Sequence, residues 1–550
     1  MASAISLQIP LVVAIVGGAC VVWRLLRDFV SKSTLDNIPG PRSGSIIQGN
    51  LGQLFERHCW PLLDDLTTSY GGVAKLHGLL GEKSLWVSDP LALHHIIIKE
   101  QDRYPLSPSM SSLRQLLLGP GLLGTLGEHH RRQRKLLNPV FSIANMRHLT
   151  PIFYATMHRL RDGMTRQLNA AGGQSEEMDL LNWMGRAALE LVGQGGLGYS
   201  FDPLIEDAHN EYGDALKQIF PTVGKAGLWQ LMFQLNDYVP FRKLKRFIVA
   251  STPSRAVRDL KRFVDTMDER SHAIYYDKRR ALLTGDEALK QQIGEGKDIM
   301  SVLLRANIEA AVEDRLPEEE VIAQMSSLTF AGTDTTSNAL AKILHILSDK
   351  QDIQDKLRAE IVEARNGQDI GYDQLVELPY LDAVCRETLR LYPPVPSIDR
   401  EAACDMILPL SEPIRGLDGT WMNEILVPKG TEVEIGIYSC NRNKAIWGED
   451  ALEWKPERWL EPLPESVTDS KIPGVYSHLM TFIGGARACI GFKFSQLEMK
   501  VVLSILLESF RFSPSGKDIV WNRAGVNFPT VGRESETPSL PLKVEFVKAD

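Results

Sequence analysis

"TFIGGARACIG", residues 481–491, is the stretch from which the rest of the chain can be read. It sets Cys489, one of only 6 cysteines among 550 residues, in a glycine-lined loop with Arg487 two positions before it. The run that follows, "GFKFSQLEMKVVLSILLESF" (491–510), has the apolar spacing of a helix. A thiolate is stabilised by positive charge, a metal or a helix N-terminus. Gly484, Gly485 and Gly491 let backbone N–H groups come close to the sulfur. That setting suits a single anionic ligand. A nucleophilic cysteine would need a histidine partner, which the sequence does not nominate. The loop matches neither G-x-G-x-x-G nor G-x-x-x-x-G-K, so it is not a phosphate loop.

The wider composition narrows the function classes. Net charge is -8, which argues against nucleic acid as a partner, because backbone binding needs a basic face. The cysteines are scattered, with no C-x-x-C pair, so neither a zinc site nor a disulfide framework is expected. Met1 to Trp23 carries no charged residue, and Arg24, Arg27 and Lys32 follow it. A spanning helix needs about 20 apolar residues. The segment lacks the positive n-region and the small-residue cleavage site of a signal peptide. Residues 1–24 therefore read as a retained transmembrane anchor, with the basic C-terminal side in the cytosol. A basic, proline-rich hinge is expected over 25–44, where Pro39 and Pro41 stiffen the chain.

From 45 to 550 there is no repeat, low-complexity segment or convincing linker, so one domain is expected. Amphipathic periodicity predicts long helices over about 127–171, 205–250, 255–285, 317–349, 351–365, 379–392 and 490–510. Strand-like runs occur at 71–88 and 425–439. The expected fold is mainly α with a small β contribution.

Three further motifs carry chemistry. The pattern over 317–349 is interrupted midway by "AGTDTT" (331–336). Gly332 costs about 1 kcal/mol relative to Ala in a helix interior, and the threonine hydroxyls compete for backbone groups. Such local conflicts mark sites, although a tolerated glycine beside a polar face gives the same letters. Asp334 and Thr335 are candidates for proton delivery. "CRETLRLYPPVP" puts Glu387 and Arg390 on one helix face, and "WKPERWLEP" offers Arg458; spacing alone does not pair them. "GEHHRRQRKLLNPVF" (127–141) is a basic run, either a solvated face or a binding surface for anions or an acidic protein.

Taken together, these segments resemble cytochrome P-450 monooxygenases, particularly membrane-anchored fungal members. F-x-x-G-x-R-x-C-x-G, met by Phe482, Gly485, Arg487, Cys489 and Gly491, is that family's haem-binding signature, and A-G-x-D-T-T, E-x-x-R and P-E-R-W precede it in the family's order. The resemblance implies a cytochrome P-450 fold holding haem b, with Cys489 as the metal-binding thiolate on iron and Phe482 packed beside it. It implies that Arg487, Arg400, Arg134 and His130 pair with the haem propionates, His130 standing where the family more often has Trp. Asp334 and Thr335 would hand protons to iron-bound oxygen, and Glu387, Arg390 and Arg458 would form a structural triad.

The implied activity inserts one oxygen atom from O2 into a hydrophobic small molecule, with terpenoid or sterol-like compounds of fungal specialised metabolism as the expected class. Fatty-acid or xenobiotic hydroxylation, and an O2-independent isomerase or dehydratase of the same fold, are the alternatives. Electrons would come from NADPH through a flavoprotein reductase docked on Arg131, Arg132 and Lys493, with cytochrome b5 as a further donor. The implied location is the endoplasmic reticulum membrane, single-pass, with the catalytic domain cytosolic. Expected pocket walls are 104–124, 227–235, Phe330, Ala331 and 395–398.

Overall fold

The computed structural model describes residues 32–205, 211–225, 242–285 and 296–547. Its axis is the helix Glu318–Asp349, 32 residues long, whose first turn presents Glu318, Glu319 and Glu320 to the positive end of its dipole. Against it pack Leu180–Leu191, Arg255–Thr284, Pro379–Leu391 and Phe492–Ser509. Apolar side chains repeat at helical spacing on these helices, and they form one large core with Leu340, Leu344, Val384, Val502 and Leu506 at its centre.

The periodic stretch 127–171 is two helices, Gly127–Leu137 and Ile143–Ala170. Asn138–Phe141 turns between them: Pro139 lies in that turn, and Ser142 restarts the helix by accepting the Asn145 N–H on its hydroxyl. Of the expected helix over 205–250, the described residues show Glu211–Lys225 and Arg242–Ser251.

The largest sheet joins distant parts of the chain. Val73–His77 and Lys83–Val87 form an antiparallel hairpin, extended by Glu432–Gly436 in parallel and then by Ser397–Glu401. In this sheet Arg400 stands opposite Val433. Smaller sheets pair Met406–Arg415 with Trp421–Val427, Ile519–Asn522 with Phe528–Val531, and Pro541–Phe546 with both Glu176–Asp179 and Phe510–Pro514. Ahead of them, Leu35 and Ile38 are buried in the main core and the Lys75 N–H donates to Pro39 O at 2.9 Å. A side chain at Gly40 would put its Cβ 1.9 Å from the Lys75 carbonyl oxygen, so this strap lies directly on the hairpin.

The mainly α architecture with a small β region agrees with the sequence reading, and the transmembrane part of it does not. Among the described residues no helix is long and apolar enough to cross a membrane. The apolar segment 1–24 on which the anchor rested lies outside the described residues. The membrane-anchored assignment and the single-pass endoplasmic reticulum topology are therefore withdrawn. The physical reason is that the long helices are amphipathic or interrupted by polar residues, as at Thr333–Asn338 in the axial helix, and owe their burial to one another.

Candidate functional site

The cysteine loop is held by its own backbone. The Cys489 N–H donates to Phe482 O at 2.9 Å, and the Ala486 N–H donates to Gln101 Oε1 at 2.8 Å. Gly485 has φ of 69°, and a Cβ there would lie 2.2 Å from the Ile97 carbonyl oxygen, so only glycine lets the two backbones touch. Gly491 is the N-cap of Phe492–Ser509, and its N–H donates to the Cys489 sulfur. Phe482 is buried between the rings of Tyr476 and Phe492.

Cys489 has exposed surface, yet protein surrounds it so closely that desolvation pushes its thiol up. Both observations hold if the sulfur faces an internal void. The Gly491 N–H and the charge of Arg134 oppose the upward shift. Arg134, not Arg487, is thus the cation that acts on the thiol. Its guanidinium also donates to Ala488 O at 2.5 Å and to Asn138 Oδ1 at 2.9 Å.

Around this loop the fold gathers cations. Arg487, which donates to Thr125 O, is held down to about 10 by burial and by the neighbouring Arg400 and Arg114. Arg400 is also held down to about 10 by burial, with Arg114 adding to the effect. His130 is buried, and desolvation with Arg487, Arg134, Arg131 and Arg400 pushes it to about 3, so its imidazole is neutral. Asp399 contacts two of these cations: its carboxylate accepts from Arg114 at 3.1 Å and its carbonyl accepts from Arg400 at 2.6 Å, while Glu434 on the adjacent strand also acts on Arg400. Positive charge is in surplus beside the Cys489 loop.

Asp334 and Thr335 are not in contact with that cluster. They lie on the axial helix, which passes through "AGTDTT" unbroken. Burial pushes Asp334 up to about 6, against the pull of Lys217 and a hydrogen bond from Asn338, whose Nδ2 donates to Asp334 Oδ1 at 3.1 Å. Thr335 donates to Ala331 O at 2.7 Å and does not bond Asp334. At Gly332 the helix meets Val192: a Cβ there would lie 2.8 Å from the Val192 Cγ2.

Glu387, Arg390 and Arg458 do come together. Arg390 makes a two-pronged pair with Glu387 at 2.9 and 2.8 Å, both residues being fully buried, and donates to Asn441 O and Ala451 O. Arg458 lies 3.5 Å from Glu387 and 2.8 Å from Asp450. The Lys455 N–H and the Trp459 ring N–H complete the shell of Glu387 at 3.0 Å each.

The sequence reading missed Gln101, Arg114, Asn338 and Glu498. The last is a buried carboxylate whose nearest help is Thr336, and desolvation pushes it well up. A lone Glu inside "LEMKVVLSILL" was the available signal. Of the expected pocket walls, Leu117, Leu123 and Phe330 pack on a core around Leu118, Leu189 and Leu216; residues 227–235 lie outside the described residues. On the basic run, Arg131 is paired with Glu128 and Asp102, and Arg132 with Glu320.

The family model described as Cytochrome P450 matches residues 38–526. Cytochrome P450 monooxygenase 91 of Postia placenta is 53% identical over 95% of this chain and 96% of its own length. Monooxygenase 81 of the same fungus is 52% identical over 98% of both chains. Ganoderic acid synthetase of Ganoderma lucidum is 47% identical over 97% of this chain and 98% of its own.

Proposed function

Because this chain belongs to the cytochrome P450 family and is by that kinship a monooxygenase, we propose a haem-thiolate site centred on Cys489 that oxidises a terpenoid or sterol-like molecule in fungal specialised metabolism. One observation carries the site assignment: the buried cation Arg400 and the half-buried Arg487 and Arg134 converge beside a lone thiol with too little negative charge to match them. A haem b would bring two carboxylates and an iron able to take a thiolate ligand, which is the complement of that donor set. Among the described residues no group of three or more His, Cys, Asp or Glu could hold a bare metal ion, so an iron at Cys489 would arrive with its other ligands.

In this reading Cys489 holds the iron, Gly491 steadies the sulfur through its N–H, and Gly485 allows the close backbone contact that fixes the loop. Phe482 packs beside the sulfur. Arg134, Arg400 and Arg487 bind the propionates, and neutral His130 adds an N–H. The bound haem supplies activation of O2 and transfer of one oxygen atom to the substrate. Asp334, poised near 6, both holds and releases a proton at neutral pH. Thr335 joins the relay when its hydroxyl turns away from Ala331 O. Glu387, Arg390 and Arg458 brace the thiolate side as one domain over 45–550.

NADPH electrons would enter through a reductase on Arg131, Arg132 and Lys493. Arg131 is already in exposed pairs with Asp102 and Glu128, which an acidic partner can displace, whereas Arg132 pairs with the buried Glu320. Charge reversal at all three should lower turnover and its salt dependence; unchanged values would remove this docking face. The relative named for ganoderic acid synthesis supports the substrate class, and a binding-spectrum screen of terpenoids, fatty acids and xenobiotics tests it.

The site itself is tested by the ferrous–CO spectrum. Sulfur ligation gives a strongly red-shifted main band, which Cys489→Ser should abolish; persistence of the band in that variant would move the ligand elsewhere. Thr335→Ala should consume NADPH without matching product, and an unaffected yield would favour O2-independent chemistry.

A further inference from the structure

Beyond Thr335 the axial helix borders a second cavity, of about 400 Å³, whose wall includes neither Cys489 nor Thr335. Its volume is that of a small-molecule site. Trp60, Tyr392, Tyr438, Ile519 and Trp521 give it an apolar, mainly aromatic wall. Into this wall the helix sends Lys342, whose ammonium lies 4.1 Å from the ring centre of Tyr392 and 4.6 Å from that of Trp521. Arg442 flanks the same Tyr392 ring at 6.0 Å and lies 4.3 Å from that of Tyr438. No carboxylate lines the cavity. Lys342 makes no ion pair among the described residues.

Ring faces stabilise a cation only in part, and a desolvated ammonium beside a guanidinium needs an anion. Burial and Arg442 hold Lys342 down to about 7, with Asp349 acting the other way and His345 on the next turn itself pushed down to about 4. The fold thus keeps two like charges together in an aromatic pocket that fits a molecule with an apolar body and one negative end. A free phosphate would leave the aromatic walls uncovered, and a purely apolar ligand would leave Lys342 unmatched.

We infer that this cavity is a second small-molecule site, which takes an apolar carboxylic acid with its carboxylate on Lys342, Arg442 close by, and its body against Trp60, Tyr438 and Trp521. The site touches the catalytic region at one point. Asn338, in the cavity wall, is the residue whose amide donates to Asp334.

The test uses the haem-loaded enzyme with its substrate pocket filled by a tight azole that binds the iron. Calorimetric titration with dodecanoate should show one saturable site per chain, and dodecanol should bind at least tenfold more weakly. Lys342→Met should weaken dodecanoate at least tenfold, leave dodecanol unchanged and raise the melting temperature, because a desolvated charge without an ion-pair partner has been removed. Lys342→Arg should retain binding. If Lys342→Met does not fold, Arg442→Gln decides, with an expected loss of threefold or more. The absence of saturable binding to the azole-filled enzyme, equal affinity for dodecanol, or a dodecanoate affinity indifferent to position 342 would each overturn the inference. Haem absorption, followed in parallel, reports separately on the Cys489 site.

Discussion

Arg390 and Arg400 are both buried guanidiniums, at 0% and 5% exposure, and they differ in what faces them. Around Arg390 the charges match: Glu387 and Asp450 answer Arg390 and Arg458, and backbone carbonyls take the remaining N–H groups. Around Arg400 they do not, since Arg114, Arg134 and Arg487 share its neighbourhood against Asp399 in direct contact and Glu434 on the adjacent strand. A matched buried network fixes geometry, whereas a surplus is stable only when something outside the chain completes it. The first set is structural; the second is a receptor for negative charge. The same contrast separates Lys342 from the many paired lysines.

The largest effect expected from this contrast is on the matched side. Arg390→Ala leaves Glu387 buried without its two-pronged partner, a change that costs about 3–5 kcal/mol. Denaturant unfolding of the haem-loaded enzyme measures it, and a loss below about 1 kcal/mol would mean that the network is not a structural brace.

Asp334 comes next, as a carboxylate with a distant cation for company. Its folded-state value of about 6 lies above the ordinary 3.8, so stability that is full below the unfolded value is lost as pH rises through 6. Asp334→Asn removes that loss. The variant should match the parent near pH 4 and exceed it by on the order of 2–3 kcal/mol at pH 8, since each unit is worth about 1.4 kcal/mol. Parallel melting curves across that range decide it; a constant difference would show that Asp334 is not held protonated by burial. Its oxygenase activity should fall at the same time, which sets it apart from a merely awkward core residue.

On the surplus side the sign reverses between the empty and loaded protein. Arg400→Gln relieves repulsion in the haem-free chain and removes a charge-assisted contact worth about 1.5–3 kcal/mol when haem is bound. Haem transfer to an acceptor globin should be roughly ten- to a hundredfold faster, while the melting point of the haem-free protein should rise. If both forms lost stability together, Arg400 would belong with Arg390.

Much of this contrast was legible before the fold was known, and the limits are physical. Cys489, Arg487 and Gly485 are close in sequence, so their loop could be read directly. Glu387 and Arg390 share a helix turn, but Arg458 joins them only because Pro456–Trp459 folds back on that helix. Arg114, on the helix Pro108–Leu118, meets Arg400, on the strand Ser397–Glu401, beside Arg487 although the three are far apart in sequence, and no periodicity encodes that. The strand Ser397–Glu401 also went unseen, because "SIDRE" has too few apolar residues to alternate. Arg131 and Arg132 looked like a free basic face, and local acids within reach of both side chains neutralise much of it. The apolar segment 1–24 promised a membrane span on hydropathy alone, and nothing in the long described helices repeats that signal.

The smallest expected effect concerns Gly332, which the sequence set among the chemistry of "AGTDTT". In the structure it is the point where Val192, in the segment after Leu180–Leu191, comes against the axial helix. Alanine there gains about 1 kcal/mol in helix propensity. Its Cβ would lie 2.8 Å from a methyl of a buried valine, whose branched side chain has few rotamers to escape into. Overpacking of that kind costs about 1–3 kcal/mol, so Gly332→Ala should destabilise by about 1 kcal/mol net. Pairing it with Val192→Ala should recover most of that loss relative to Val192→Ala alone, because the clash has been removed and only the propensity gain remains. A thermodynamic cycle over the two positions measures this coupling. Additive effects would mean that the glycine is kept for what lies on the helix's other faces, and would return it to the proton path beside Asp334.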